Sequence, residues 1–457
     1  MVHSPWSIVH SQSTMVHQLW SIVYRLWSID YGLWTMVYGL SSNSPILRHL
    51  KNKQALFLLF TANAISGFAQ GMSMLAVPWY FAVKQQSEVF NFSYGVLTFG
   101  VLFFGLYAGT LVDKYSRKKN FLFTNLFCGL VVFGVALVGI LNQELPNLMV
   151  ILVFGLTMFN YNIHYPTLYA FTHEITEPQE YQRVNSWIEI VGQSTSILSG
   201  ALAAVLLDGL TEPFVIAKWE IWDIFLLDGS TYFLATLLIY FIKHKATKHY
   251  SVQTGSVQER VKTGFSYLKK HPQLLVFGLF SYAVFAALIV AIHSLLPLYV
   301  DRHLQREGSV FALADMIYAI GALGAGLFVG KVFEEKQTVR AIIILTFLAS
   351  FIFLWLFVAK SVWVLYVYSI LLGFSNAGIR VLRLTYFFQH IPNEVMGRVN
   401  SIFNMSNVLT RSVFIFLFSI PFFNFGSNVI YTFLILSAFL GVAGLVLILN
   451  NKKENAL

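Results

Sequence analysis

Six ionisable side chains stand well inside long apolar runs of this chain: Glu189, Asp228, Asp315, Arg380, Arg383 and Arg411. A charge in that setting costs at least a few kcal/mol unless it is paired or wet. A carboxylate held partly away from bulk water can load and release a proton, and Asp228 is the first choice for that role. It sits in LLDGSTYF, where Gly229 admits a close neighbour and Ser230 and Thr231 offer hydroxyls. Glu189 is the second choice, although basic groups near Arg183 stand within its pairing reach. Asp315 ranks behind both, because it lies only about two turns from the end of its run, where water keeps an acid ionised at little cost. Arg380 and Arg411 present planar, fork-shaped donors suited to a carboxylate or another strongly accepting group. Their alternative use is to pair with Glu189 or Asp315 and stabilise the bundle.

Polar residues extend this pattern into stripes. Asn400, Asn404, Asn407 and Arg411 recur every three or four residues, one face of a helix. Asn63 and Gln70 make a shorter stripe, and Asn160, Asn162 and His164 gather just before Pro166. Together with Arg380 they outline a central cavity lined by Asn63, Gln70, Asn160, Asn162, His164, Arg380, Asn404, Asn407 and Arg411. Taken singly, each is equally served by a structural hydrogen bond between helices. His164 and His293 read as packing residues, although an imidazole titrates near neutral pH.

Elements that hold such residues must be membrane helices. With 57% hydrophobic and 11% charged residues, the chain has too little polar surface to cover a soluble globule of 457 residues. Twelve apolar runs, near 55–83, 90–112, 120–141, 147–171, 184–207, 222–242, 273–300, 310–331, 339–359, 362–388, 398–423 and 427–449, are each long enough to cross a bilayer as a helix. Their period is helical, so the expected class is an all-α membrane bundle. If the N-terminus is cytoplasmic, the inner segments carry 21 Lys/Arg and the outer loops five, which places both termini in the cytoplasm. The net charge of +9 then reflects topology and contact with anionic lipid, and nucleic acid is not an expected partner. A single cysteine, Cys128, excludes a disulfide within the chain and argues against a cysteine metal site. GAGLFVGKV at 324–332 is one residue short of a phosphate-binding loop and lies within a helix, so no nucleotide or other cofactor is expected.

Internal repetition divides the chain. RVNS at Arg183–Ser186 returns at Arg398–Ser401, with Glu180 and Glu394 each two residues after a proline ahead of it. Gly105, Gly109 and Asp113 return as Gly326, Gly330 and Glu334, and Pro78 returns as Pro297, at offsets of 215, 221 and 219 residues. Three pairs at nearly one offset mark two related six-helix halves, 46–242 and 273–450, joined by a basic linker at 243–272 and followed by a tail at 451–457. Residues 1–45 carry a seven-residue repeat, WSIVYRL, WSIDYGL and WTMVYGL, without a clean helical stripe. They read as an accessory extension of low complexity.

One stretch, GTLVDKYSRKKNF at 109–121, places an acid and four bases between two apolar runs. It resembles the signature of the major facilitator superfamily, Gly-x-Leu-x-Asp-Arg/Lys-x-Gly-Arg-Arg/Lys: Gly109, Leu111, Asp113, Lys114, Arg117 and Lys118 match, and Ser116 stands where glycine is usual. NAISGFAQGMSMLAVPW, LLDGSTYF and IPNEVMGRVNSI resemble the branch of that superfamily that exports drugs, macrolides and siderophores, over about 50–450. The resemblance implies a proton-coupled exporter of a small amphipathic compound, working by alternating access as a monomer in the bacterial inner membrane, in contact with lipid. An importer on the same fold is the alternative, followed by a polytopic membrane enzyme or a scaffold; no clustered His/Asp or Ser/His pair favours an enzyme. In such a fold the cytoplasmic end of the second helix meets the start of the eleventh, near Arg398. Gly105 and Gly109, four residues apart, would let a helix approach closely, and Asp113 would be stabilised beside a helix start. The expected latch comprises Gly105, Gly109, Asp113, Lys114, Arg117, Lys118, Glu180, Arg183, Glu334, Glu394 and Arg398, with Arg117 and Lys118 held by Glu180 or by lipid phosphate.

Overall fold

The computed structural model describes residues 52–177, 180–209, 217–243, 257–332 and 337–454. The 1–45 extension, Glu334 and residues 244–256 of the linker lie outside them. Gly109, Asp113, Lys114, Arg183, Glu189 and Glu394 belong to described helices, but their side chains lie outside the description.

Six helices form the first half: α1 (Lys53–Val83), α2 (Ser87–Lys114), α3 (Arg117–Asn142), α4 (Asn147–Ile175), α5 (Tyr181–Asp208) and α6 (Ile221–Tyr240). In the linker, α7 (Val257–Lys270) runs along α12. The second half comprises α8, the interrupted span from Pro272 to Leu304, then α9 (Gly308–Val332), α10 (Thr338–Val358), α11 (Val362–His390), α12 (Asn393–Phe418), the short α13 (Pro421–Asn424) and α14 (Ile430–Glu454). Twelve of these are long and apolar enough to cross a membrane. Large apolar side chains such as Phe123, Leu141, Leu148 and Val358 are more than two-thirds exposed around the bundle, the surface that hydrocarbon would cover.

Within the first half, α6 packs on α1 and α3, and α1 on α5; within the second, α11 packs on α9 and α10, and α10 on α14. Between the halves, α5 lies along α9, α2 along α12, and α1 meets α8. An even number of spans brings residues 52 and 454 to one face, here called the terminal face; the other is the distal face. Among the described residues, the side-chain contacts between the halves gather at the distal side. Trp79 stacks on Phe311, Phe92 meets Phe416 edge-on, and Asn91 bonds both Ser294 (2.7 Å) and Asn424 (3.0 Å).

The seventh span departs from the continuous helix expected over 273–300. It is α-helical over Pro272–Ser281 and Ala283–Val290, breaks at Tyr282, and passes through π-helical turns at Ala291–Leu295 and Tyr299–Leu304. Pro297 lies between those turns and has no N–H to donate, which interrupts the regular ladder. Carbonyls freed at the break are satisfied from neighbouring helices. Arg383 Nη1 donates to Ser281 O (2.8 Å), and Asn407 Nδ2 donates to Tyr282 O (3.3 Å). The Arg383 guanidinium also lies 3.5 Å from the centroid of the Tyr282 ring. Its charge inside an apolar run is therefore explained by the backbone it repairs.

Candidate functional site

Asp228 is wholly buried on the face of α6 that packs against α1 and α3. The face can come so close because of Gly229: a Cβ there would lie 2.7 Å from Phe133 N and 2.9 Å from Phe133 Cα. The Ser73 hydroxyl of α1 donates to Asp228 Oδ2 at 2.6 Å, and Oδ1 has no hydrogen-bond partner. Neighbouring hydroxyls on α6 turn back on their own helix, Ser230 to Leu226 O and Thr231 to Asp228 O. The nearby Asp223 caps the same helix by accepting the Glu220 N–H at 3.0 Å. Tyr161 of α4 stands within electrostatic reach of both Asp228 and Asp315, one acid from each half. An acid with one short bond and one free oxygen, away from water, can hold a proton in one state of the bundle and lose it in another.

Other polar residues of the first half separate into distinct environments. His164 and Asn63 bond to each other, 2.8 Å between Nε2 and Oδ1, with Phe121 edge-on to the imidazole. Asn160 donates to the Tyr232 hydroxyl at 3.5 Å. Asn162 donates to Met158 O on its own helix, and its Oδ1 lies 3.8 Å from the position a Cβ would take at Gly105. Gln70 is buried, and its Nε2 has no partner.

In the second half, Arg411 is half-buried about two turns from the distal end of α12. Its guanidinium lies 5.8 Å from the centroid of the Phe285 ring, within electrostatic reach of Tyr94 and His293. Arg411 Nε has no hydrogen-bond partner, and among the described residues no carboxylate forms an ion pair with it. Two further stripe residues serve the α8 break: Asn407 as above, and Asn400, whose Oδ1 accepts the Tyr282 hydroxyl at 3.1 Å. Asn404 is exposed. Arg380 is also exposed, one turn from Asn376, which donates to the Tyr318 hydroxyl at 2.9 Å. Asp315 lines a small cavity with Tyr318, Tyr368 and Phe311. Asp315 itself is half-buried, and Phe311, stacked on Trp79, stands one turn ahead of it toward the distal end of α9.

The basic stretch after α2 starts α3. Arg117 Nε lies 3.8 Å from Glu174 Oε2, and Lys118 Nζ donates to Tyr240 O (2.8 Å) and Ile242 O (2.7 Å) at the end of α6. A cation there complements the partial negative charge of a helix C-terminus. Glu180 Oε2 accepts the Glu177 N–H at 3.1 Å. Arg398 is half-buried, and α7 presses on its backbone, where a Cβ at Gly264 would lie 2.9 Å from Arg398 O.

The sequence alone does not single out Ser73, Tyr94 or Tyr161. Serine and tyrosine are common on buried membrane helices, and only their three-dimensional neighbours distinguish these. Among the described residues, no group of three His, Cys, Asp or Glu side chains could hold a metal ion.

Residues 59–415 match the family model described as Major Facilitator Superfamily. The chain is 24% identical over 365 residues to the enterobactin exporter EntS of Shigella boydii serotype 4, an alignment that covers 79% of this chain and 83% of the relative. The corresponding exporter of Escherichia coli O139:H28 is similar to the same extent. Among solved structures, a bacterial homologue of the human lysosomal transporter Spinster, inward-facing and unoccupied, superposes with a TM-score of 0.64 at 11% identity, over 90% of this chain and 98% of that one. A D-xylose-proton symporter superposes with a TM-score of 0.65 at 13% identity, over 86% and 97%.

Proposed function

The chain belongs to the Major Facilitator Superfamily, and on that premise we propose that it is a proton-driven exporter of a small amphipathic compound of siderophore type that bears acidic groups. The terminal face is assigned to the cytoplasm of a bacterial cell, as the lysine and arginine bias requires. Substrate enters between the halves from that face and leaves at the distal face when the halves rock about a central site. Asp228 carries the coupling proton, and the Asp113 cluster closes the cytoplasmic side.

The observation that carries the substrate class is Arg411. This half-buried guanidinium, with Nε unpartnered and no described carboxylate paired with it, keeps a donor free for an acidic group. A substrate carboxylate or ionised phenol would pair with it, and the half-buried Phe285 ring nearby could contact an apolar body. The similarity to enterobactin exporters supports the same reading.

Proteoliposomes with an imposed pH gradient test it, with catecholate and carboxylate siderophores and a neutral amphipathic dye as cargo. Gradient-dependent movement of the acidic compounds is expected, and Arg411→Lys should weaken their half-saturation by about tenfold, the equivalent of one charge-assisted bond. Movement of the dye alone, or an Arg411→Lys protein that is less abundant but equally avid, would remove the acidic-substrate assignment.

A further inference from the structure

We propose that Asp208 is a distal latch between the two halves, a counterpart on the opposite face of the latch expected at Asp113. Asp208 ends α5 in the first half, and α9 of the second half begins at Gly308. Its carboxylate accepts the first two N–H groups of that helix, Gly308 N–H to Oδ1 at 3.1 Å and Ser309 N–H to Oδ2 at 2.6 Å. The first N–H groups of a helix have no partner within it and carry partial positive charge, so a bidentate carboxylate is well placed there.

The acid and the helix it caps lie in different halves, which distinguishes this contact from an ordinary cap. Opening the distal side must break it. The seam beneath is equally close. A Cβ at Gly200, eight residues before Asp208, would lie 3.0 Å from Ala312 O and from Met316 N, so α5 and α9 meet there nearly backbone to backbone. Trp79 closes the other side, its indole 2.6 Å from where a Gly308 Cβ would sit.

The sequence repeats the device. GLYAGTLVD, Gly105 to Asp113, ends α2 at the terminal face, and GALAAVLLD, Gly200 to Asp208, ends α5 at the distal face. Each carries glycine eight residues and alanine five residues before the aspartate, and leucine two before it. Each host helix lies along a helix of the second half that starts at the same face, α12 for α2 and α9 for α5. Alternating access requires that the two faces are not open together. A carboxylate at each seam, gripping a helix start only when its own side is closed, gives the two closed states comparable stabilisation.

The test needs no substrate, so its outcome is independent of the proposed cargo. With Cys128 replaced by serine, Ala312→Cys at the α5–α9 seam reports distal opening, and Asn404→Cys reports terminal opening. Both are read as labelling rates with a membrane-impermeant maleimide. Asp208→Asn keeps the shape and removes the second acceptor oxygen and the charge. It should raise labelling of Ala312→Cys by about tenfold, what losing one charge-assisted bond gives in an equilibrium, and lower labelling of Asn404→Cys. Adding Asp113→Asn should return both rates toward the starting values. Unchanged rates in Asp208→Asn would overturn the latch. If that variant does not fold, oxidation of Asp208→Cys with Ser309→Cys decides: a crosslink that stops conformational exchange until reduced supports the latch, and a crosslinked protein that still opens distally overturns it.

Discussion

Asp228→Asn separates coupling chemistry from packing, because the structure allows its cost to be worked out in advance. The Ser73 bond to Oδ2 is 2.6 Å long, and an amide oxygen in the same place can still accept it. A bond to an ionised group contributes about 1.5–3 kcal/mol and a neutral one about 1 kcal/mol. Weakening that bond should therefore cost about 1 kcal/mol, a shift in thermal midpoint of about 2 °C for a chain of this size. Oδ1 has no partner to lose, and the amide NH2 that replaces it adds about 1 kcal/mol as an unpartnered buried donor. A protein so little destabilised should fold, and its transport can be read as chemistry. In proteoliposomes, efflux driven by a pH gradient should fall to the level seen without a gradient, while exchange at equal pH survives. Ser73→Ala is the control: it removes the donor, leaves the carboxylate, and should keep gradient-driven efflux. Gradient-driven efflux at the normal rate in Asp228→Asn would refute the coupling role, and loss of folding together with exchange would make the residue structural.

Three further outcomes can be measured. Gly229→Ala places a methyl group 2.7 Å from the Phe133 backbone and should cost about 1–3 kcal/mol, whereas Gly134→Ala, with nothing within 4 Å, should be neutral or slightly stabilising; equal thermal midpoints would remove the close approach of α3 and α6. Arg383→Met leaves Ser281 O unpaired and removes the stack on Tyr282, so it should destabilise by about 2 kcal/mol and Arg383→Lys by less; thermal unfolding that leaves both at the parent midpoint would show that the α8 break does not depend on it. Asp113→Asn should increase labelling of an Asn404→Cys reporter from the terminal face, and an unaltered rate would leave the basic cluster with a topological role only.

How much of this was legible before the structure depends on the kind of signal. Spans were legible because a bilayer imposes length and apolarity on each helix independently of its neighbours. The Asp228 environment was legible by half. Gly229 announced a close neighbour, which the Phe133 backbone supplies, but the hydroxyls beside Asp228 turn inward on their own helix, and the partner is Ser73, 155 positions away. Stripes were harder, since a polar face on a membrane helix can meet a cavity, a helix or a broken backbone. Asn400, Asn404, Asn407 and Arg411 illustrate the ambiguity: Asn400 and Asn407 both go to Tyr282, and only the break in α8 makes those bonds necessary.

Asp208 shows the same limit from the other direction. At the end of an apolar run it looks like any interfacial acid, and the sequence around it gained meaning only once α9 was found to begin beneath its carboxylate. The echo between GLYAGTLVD and GALAAVLLD is visible in the letters, yet its sense depends on the two segments ending at opposite faces. A repeat between halves, such as RVNS, keeps its face of the membrane and can be read as duplication. The repeat between α2 and α5, three spans apart, reverses its face, so the same residue types stand at the other side of the membrane. On the proposed latches, an aspartate eight residues after a glycine would hold the face at which its helix ends, and the direction in which that helix crosses sets which face it is.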